Sequence, residues 1–551
     1  MQGIEAVSQT HDKETGYRVY LVPLMVALEI MAEAACSYAP GLLVTAVRNV
    51  RAYRRIAVGK EGLNLSVVIQ SYDEESGALL VEIVPYRQPN LSATNNTGVA
   101  DLSSDAEIGK ASDDAYVQAE IVLSPRYKKG VAQLSAPADA RESKFAKESL
   151  YGKGAMFHGP RLQSVEQLFT SNKYQGGRLR SRAATDWFAE FDDLSKFAID
   201  PLLLDNASQL VLYHMFEANI PATALLPFHI DTIEFFADFQ NYHGELLRGD
   251  AKLFSVGSRG THADLEVTTA GGDLLCRISG INSRAIILSE ELRQFVDHPR
   301  KHRLSKPLGL GNHSLSSSVE LATISISDLH IDDTTLLWLS DYFLSEEEKL
   351  QMPKRSGVEK RRRDWLAGRI SAKDAVRTLL NREYGIALCP ADISILSAAS
   401  GAPVVRLASD VLQAPPCVSI SHCDGVAVAI ASTNKDVLPG LQRIEPREPG
   451  FDEIAFTSSE RVLLHALSAD ERTANQSLLW SIKEAAAKAT GEGLQRVDQI
   501  VVEQINAKNQ TATVFNSASR LKDTVHYTRM GSFILAVFLA SGQVQSNRTS
   551  S

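Results

Sequence analysis

At 551 residues, with 44% hydrophobic and 22% charged side chains, the sequence is that of a folded protein too long for a single core. A formal net charge of −9 argues against a nucleic-acid-binding protein as a whole, and no targeting or membrane-spanning segment stands out. The five cysteines lack CxxC spacing, which excludes a zinc ribbon or a disulfide framework and fits a reducing, cytoplasmic setting.

The apolar run Val19 to Ala35 is interrupted by Glu29 and Glu33 and reads as a buried helix opening after Pro23, with the two glutamates opposite its apolar side. A helix so near Met1 needs something folded to pack against, which suggests a missing leading strand or a longer natural chain. Strands are predicted at Leu42 to Val50, Arg54 to Val58, Leu63 to Tyr72 and Ala78 to Val84. Residues 88–114 exchange large apolar side chains for Asn, Ser, Thr, Asp and Gly and are predicted to form a mobile loop. Ala115 to Leu123 is a further strand. Tyr151-Gly-Lys-Gly-Ala-Met-Phe-His-Gly159 then reads as a glycine-rich turn carrying aromatic residues toward a cleft.

From Ile199 the helix-then-strands plan repeats. Asp200-Pro-Leu-Leu-Leu-Asp205-Asn-Ala-Ser-Gln209 opens a helix, and strands follow at Ile230 to Phe236, Tyr242 to Phe254, Thr261 to Thr269 and Leu274 to Ile281. Asp205 inside a leucine-rich helix either exploits the helix dipole or serves a function that offsets its burial. Residues 296–318, basic and then rich in Ser, Gly and Asn, read as a linker.

Beyond it, Ser345 has the look of an N-cap, and a helix from Glu359 gathers Arg362, Trp365, Arg369 and Lys373 into a cationic stripe. Such a stripe either solvates a surface or binds phosphates. His422 sits at a turn between two strands. In Trp480-Ser-Ile-Lys-Glu-Ala-Ala-Ala-Lys488, helical spacing puts Trp480, Lys483, Glu484 and Lys488 roughly along one side, as an amphipathic helix with an i,i+4 pair or as a phosphate-handling face.

Two helix-plus-meander halves, Pro23 opening the first helix, the Tyr151-x-x-Gly154-x-x-Phe157-x-Gly159 turn and Asp200-Pro-x-Leu-Leu-Asp205-x-x-x-Gln209 together resemble the double hot-dog dehydratase domains of polyketide synthases, over about residues 10–290. The resemblance implies that Asp205 protonates the departing hydroxyl of a carrier-bound β-hydroxyacyl thioester and that Gln209 orients it. The family's base is a histidine of the first half, in His-x-x-x-Gly-x-x-x-x-Pro. Counting back from Pro23 meets Glu14, with Arg18 at the glycine; three inserted residues bring in His11, and a deletion brings in Tyr17. His11 is the candidate.

Arg363-Asp-Trp365-Leu-x-Gly368-Arg369-x-x-x-Lys373, Ser419-x-Ser421-His422, Phe456-Thr-x-x-Glu460 and Trp480-x-x-Lys483-Glu484-x-x-x-Lys488 resemble the surfactin-type 4′-phosphopantetheinyl transferases, over residues 320–541. That resemblance implies coenzyme A as substrate, Mg²⁺, and an acyl carrier protein or carrier domain whose serine is modified. Arg369, Lys373 and His422 would hold the nucleotide's phosphates, Lys483 and Lys488 would neutralise the pyrophosphate in the transfer step, and Glu484 would ligate the metal and serve as a base. Gly440 and Gln442 stand where the family's Gly-(Ile/Val)-Asp-x-Glu strand has two more metal carboxylates. Gln442 then remains as an amide ligand, transfer is expected to be weakened or absent, and carrier modification by Gly440→Asp decides whether the missing carboxylate is the lesion.

The expected fold class is α+β: a double hot-dog with halves at 1–135 and 136–295, a linker at 296–318, a pseudo-twofold α/β transferase domain at 319–541 and a disordered tail at 542–551. The expected function is bifunctional, phosphopantetheinyl transfer to a carrier serine and dehydration of carrier-bound acyl groups, as in enediyne-type iterative polyketide synthases. The alternative is a carrier-docking module with degenerate sites. No nucleic acid or membrane partner is expected, and a homodimer through the hot-dog region is a candidate assembly.

Overall fold

The computed structural model describes residues 20–58, 62–86, 112, 115–145, 151, 158–183, 186, 196–220, 224–257, 259–310, 314–315, 318–329, 333–353, 359–398, 401–408, 412, 414–433, 437–465, 469–489, 497–539 and 544–545. The chain divides into two compact units, one holding the described residues up to Leu288 and the other those from Ser289 onward.

In the first unit two long helices are each wrapped by strands of one eleven-stranded antiparallel sheet. Its order by residues is 65–73, 78–85, 117–124, 43–52, 224–235, 274–286, 260–268, 246–257, 174–180, 165–171, 141–142. The halves join where Leu43–Ala52 pairs with Ala224–Phe235, Val50 opposite Ile230. The first helix, Leu24–Tyr38, begins after Pro23, whose missing N–H costs nothing at that position. The second, Pro201–Glu217, is capped by Asp200, which accepts from Leu203 N at 2.9 Å, with Pro201 following. Met25, Leu28, Met31, Leu204, Leu210 and Val211 from the two helices share one apolar core with the strands.

Glu29 departs from the expected solvent-facing side. It is 3% exposed and accepts hydrogen bonds from Ala198 N and Ile199 N, both at 2.7 Å, just ahead of the second helix. The hairpin Val165–Ser171 and Tyr174–Arg180 adds two strands that are not among those expected. A Cβ at Gly177 would lie 2.6 Å from Leu210 Cδ2, so a larger residue there would displace the Leu210 side chain of the second helix. The mobile loop expected at 88–114 lies almost wholly outside the described residues.

The second unit repeats a helix-over-sheet arrangement. Glu359–Tyr384 packs on a sheet ordered 306–307, 319–325, 426–432, 417–423, and Ala469–Ala489 packs on one ordered 437–443, 533–539, 521–530, 511–516, 500–506. The described part of the expected linker is built into this unit. Leu304 and Leu310 are buried, Lys306–Pro307 pairs with the Val319–Ser325 strand, and Asp374 accepts from Leu304 N and Ser305 N at 2.9 Å. Arg377, fully buried, bonds to the Pro299 carbonyl and to Asp374. The Glu290–Asp297 helix, expected with the hot-dog, also belongs here, with Phe295 stacked on Phe343 at 4.6 Å. In the expected tail, Val544–Gln545 pairs with Ser314–Leu315; the rest of 542–551 lies outside the described residues.

Candidate functional sites

In the first unit, Asp205 and Gln209 stand one turn apart on the second helix. Gln209 Nε2 donates to Asp205 Oδ2 at 2.9 Å and to the Leu162 carbonyl at 3.1 Å. The Tyr151 hydroxyl donates to Gln209 Oε1 at 2.9 Å, so the amide is held at both ends and the carboxyl group with it. His158, on the same chain segment as Tyr151, places Nε2 at 3.5 Å from Asp205 Oδ2. His11, expected to be the base, lies outside the described residues. In sequence His158 stands among glycines and aromatics, and its one signal is the Gly159-Pro160 that follows it.

His158, Asp205 and Gln209 line a cavity of about 120 Å³ whose other walls are mostly apolar, among them Pro23, Met25, Ile56, Leu212 and Leu225. Arg54 and Arg55 are its cationic exceptions. Burial is the largest influence on both titrating groups. It raises the Asp205 carboxyl above the usual carboxylate range against the pull of His158 and Gln209, and it lowers the His158 imidazole against the pull of Asp205. Burial thus shifts both groups toward their neutral forms. Among the described residues lining this cavity, these are the two side chains suited to proton transfer near neutrality.

In the second unit, Glu484, Lys488 and Gln442 meet. Glu484 Oε1 pairs with Lys488 Nζ at 2.9 Å and accepts from Ser421 Oγ at 3.3 Å, while Oε2 accepts from Gln442 Nε2 at 2.9 Å. Lys488 also donates to the carbonyls of Pro439 at 2.9 Å and Ile420 at 3.3 Å. Gln442 Oε1 accepts from Arg447 at 2.9 Å. His422 is exposed at the end of its strand. Desolvation holds its pKa down, and Lys488, Glu484 and Arg369 all act on it electrostatically.

Residues 132–291 match the family model described as the polyketide synthase dehydratase N-terminal domain, and residues 436–538 match the 4′-phosphopantetheinyl transferase superfamily. A dehydratase-type domain precedes a transferase-superfamily domain. Similar solved structures include a trans-AT PKS dehydratase domain from Brevibacillus brevis, 16% identical over 49% of this chain and 86% of its own, with a TM-score of 0.37. The dehydratase domain of PpsC from Mycobacterium tuberculosis, solved in complex with C12:1-CoA, is 16% identical over 48% and 85%, with a TM-score of 0.34. The dehydratase domain from the CurF module of the curacin polyketide synthase is 17% identical over 49% and 85%, also with a TM-score of 0.34. Among curated proteins no match was found.

The transferase-superfamily unit does not fit the magnesium set expected of it. Glu484 pairs with Lys488, and Gln442 turns its amide donor, not its oxygen, toward the carboxylate. Gly440 lies directly beneath the Ala469–Ala489 helix, where an added Cβ would collide with the Ser481 carbonyl oxygen and lie 3.1 Å from Ala485 N. An aspartate cannot be accommodated there without moving the helix. Among the described residues no group of three or more His, Cys, Asp or Glu is arranged to hold a metal ion.

Two lysines expected at phosphates belong to the core instead. Lys483 is 1% exposed and pairs with Glu460 Oε2 at 2.9 Å, turned away from Glu484 by its place on the helix. Lys373 is fully buried against Glu348 and the Phe343 carbonyl, and desolvation lowers its pKa to about 8. The two arrangements repeat each other. Glu348 accepts from Ser345 N and Ile395 N as Glu460 accepts from Thr457 N and Val502 N, so each lysine ties a long helix to a capping turn and a strand. Arg369 is also largely buried, 4.5 Å over the Trp365 ring and 3.8 Å from Glu348.

Proposed function

We propose that the first unit removes water from β-hydroxyacyl thioesters presented on an acyl carrier protein. The observation that carries this reading is the buried Asp205 carboxyl, favoured in its protonated form and oriented by Gln209 at the wall of an apolar cavity. Elimination needs a proton donor for the leaving hydroxyl, because hydroxide is a poor leaving group at neutral pH. A carboxylic acid whose pKa burial raises is suited to supply one. The cavity has the volume of about four waters and suits the acyl segment around the reacting carbons. With a β-hydroxyacyl pantetheine thioester, mass spectrometry of the full chain's products is expected to find the unsaturated thioester. Asp205→Asn is expected to slow its formation by about 10²- to 10⁴-fold. An unchanged rate in that variant removes the reading.

For the second unit the observation that Gly440, packed directly against the Ser481 carbonyl, stands without a side chain where the motif needs a carboxylate favours a different conclusion from its motifs. We propose that it retains the carrier-facing role of a transferase superfamily member without magnesium-dependent transfer. Incubating the chain with coenzyme A, Mg²⁺ and an apo carrier is expected to leave the carrier's mass unchanged while the carrier still binds. A gain of phosphopantetheine that depends on Mg²⁺ overturns this. No described helix is long and apolar enough to cross a membrane.

A further inference from the structure

We propose that His158, from the second hot-dog half, is the general base of the dehydration and resets the site by returning its proton to Asp205. The proposal rests on the dehydration reading given above. His158 Nε2 and Asp205 Oδ2 are 3.5 Å apart, their side chains are 9% and 11% exposed, and both face the cavity. The α and β carbons of a β-hydroxyacyl group are neighbours, so an acid and a base this close serve both at once.

The histidine is positioned by the acid's own supports. Gln163 Nε2 donates to the His158 carbonyl at 2.8 Å, and Gln209 reaches the Leu162 carbonyl, which ties the segment carrying the base to the helix carrying the acid. Among the described residues, the other charged or titrating groups that line the cavity or bond to Gln209 are Tyr151, whose hydroxyl pKa burial raises, and Arg54 and Arg55 on the cavity wall. None of them is a base near neutral pH.

In the Nδ1-protonated tautomer, Nε2 takes the α-proton, the C–H electron pair forms the double bond and the β-carbon–oxygen bond breaks. The Asp205 proton leaves with the hydroxyl as water. What remains is an imidazolium beside a carboxylate, and proton transfer across that pair restores the starting state. No other reactant is consumed.

The test uses the full chain and two thioesters of N-acetylcysteamine: 3-hydroxybutyryl, for dehydration, and butyryl in D₂O, for exchange of the α-protons without elimination. His158→Gln is expected to lose dehydration by about 10²- to 10⁴-fold and to lose exchange. Asp205→Asn is expected to lose dehydration and keep exchange, and His11→Ala to keep both. Thermal melts verify folding, and added imidazole is expected to restore exchange to His158→Ala. If wild type dehydrates and His158→Gln does so at the same rate, or if His11→Ala alone abolishes exchange, the base assignment is wrong. If wild type exchanges α-protons through His158 but never dehydrates, the base stands and the dehydration reading falls.

Discussion

Lys483 and Lys488 lie five residues apart on one helix, yet their ammonium groups do different work. Lys483 is sealed in the core against Glu460, whereas Lys488 keeps 22% of its side chain exposed beside Glu484. Removing one member of a buried pair strands the other, so Lys483→Met is expected to destabilise the second unit by about 3–5 kcal/mol in urea titrations. Lys488→Met, at the partly exposed pair, is expected to cost about 1 kcal/mol or less. Equal losses would show that Lys483 is not the structural anchor described. At Asp205 and His158 the pH dependence follows from the direction of each shift. The reactive pair needs a neutral imidazole and a protonated carboxyl, so kcat/KM is expected to fall on the acid side as the pair takes up a proton and on the alkaline side as it loses one. Asp205→Asn is expected to remove the alkaline limb from the residual rate. For stability the signs oppose each other: the raised Asp205 pKa favours folding at low pH and is lost as pH rises through it, and the lowered His158 pKa favours folding above the unfolded value and is lost as pH falls.

At the scale of elements, close approach decides where sequence reasoning succeeds. The Asp205–Gln209 pair was legible because i,i+4 spacing on one helix fixes it locally, and most strands of the first unit were legible from alternation. His158 was not, because its partner is 47 residues away and only the folded chain brings them together. The Lys373–Glu348 and Lys483–Glu460 pairs were hidden for the same reason. On a helical wheel both lysines share a face with charged neighbours, and nothing in the spacing says that the helix buries that face under a capping turn. Gly440 shows the converse. In sequence it is a missing ligand, and in the fold it is the point where strand Val437–Arg443 touches the Ala469–Ala489 helix. Gly440→Ala is expected to destabilise by about 1–3 kcal/mol through overpacking, readable as a lower urea midpoint. Gly440→Asp is expected to lower stability further without conferring magnesium-dependent transfer. A stable, newly active Gly440→Asp would show that the strand and helix can part.

The whole chain holds two units, each with its own buried clusters, and the charged network of residues 299–310 belongs to the second of them. Composition alone suggested a tether there, because basic and turn-forming residues usually face water; buried Asp374 and Arg377 supply the partners that let this stretch fold inward. Separate cores predict separate unfolding transitions, since cooperativity follows shared burial. Calorimetry of the full chain is therefore expected to show two transitions that respond to different substitutions. Asp200→Ala removes the cap of the Asp205 helix and is expected to lower only the first unit's transition, by the equivalent of about 0.5–2 kcal/mol. Lys483→Met is expected to lower only the other. If either variant shifts both transitions together, the two cores unfold as one, and the first unit's acid–base site then depends for its rigidity on residues that lie outside it.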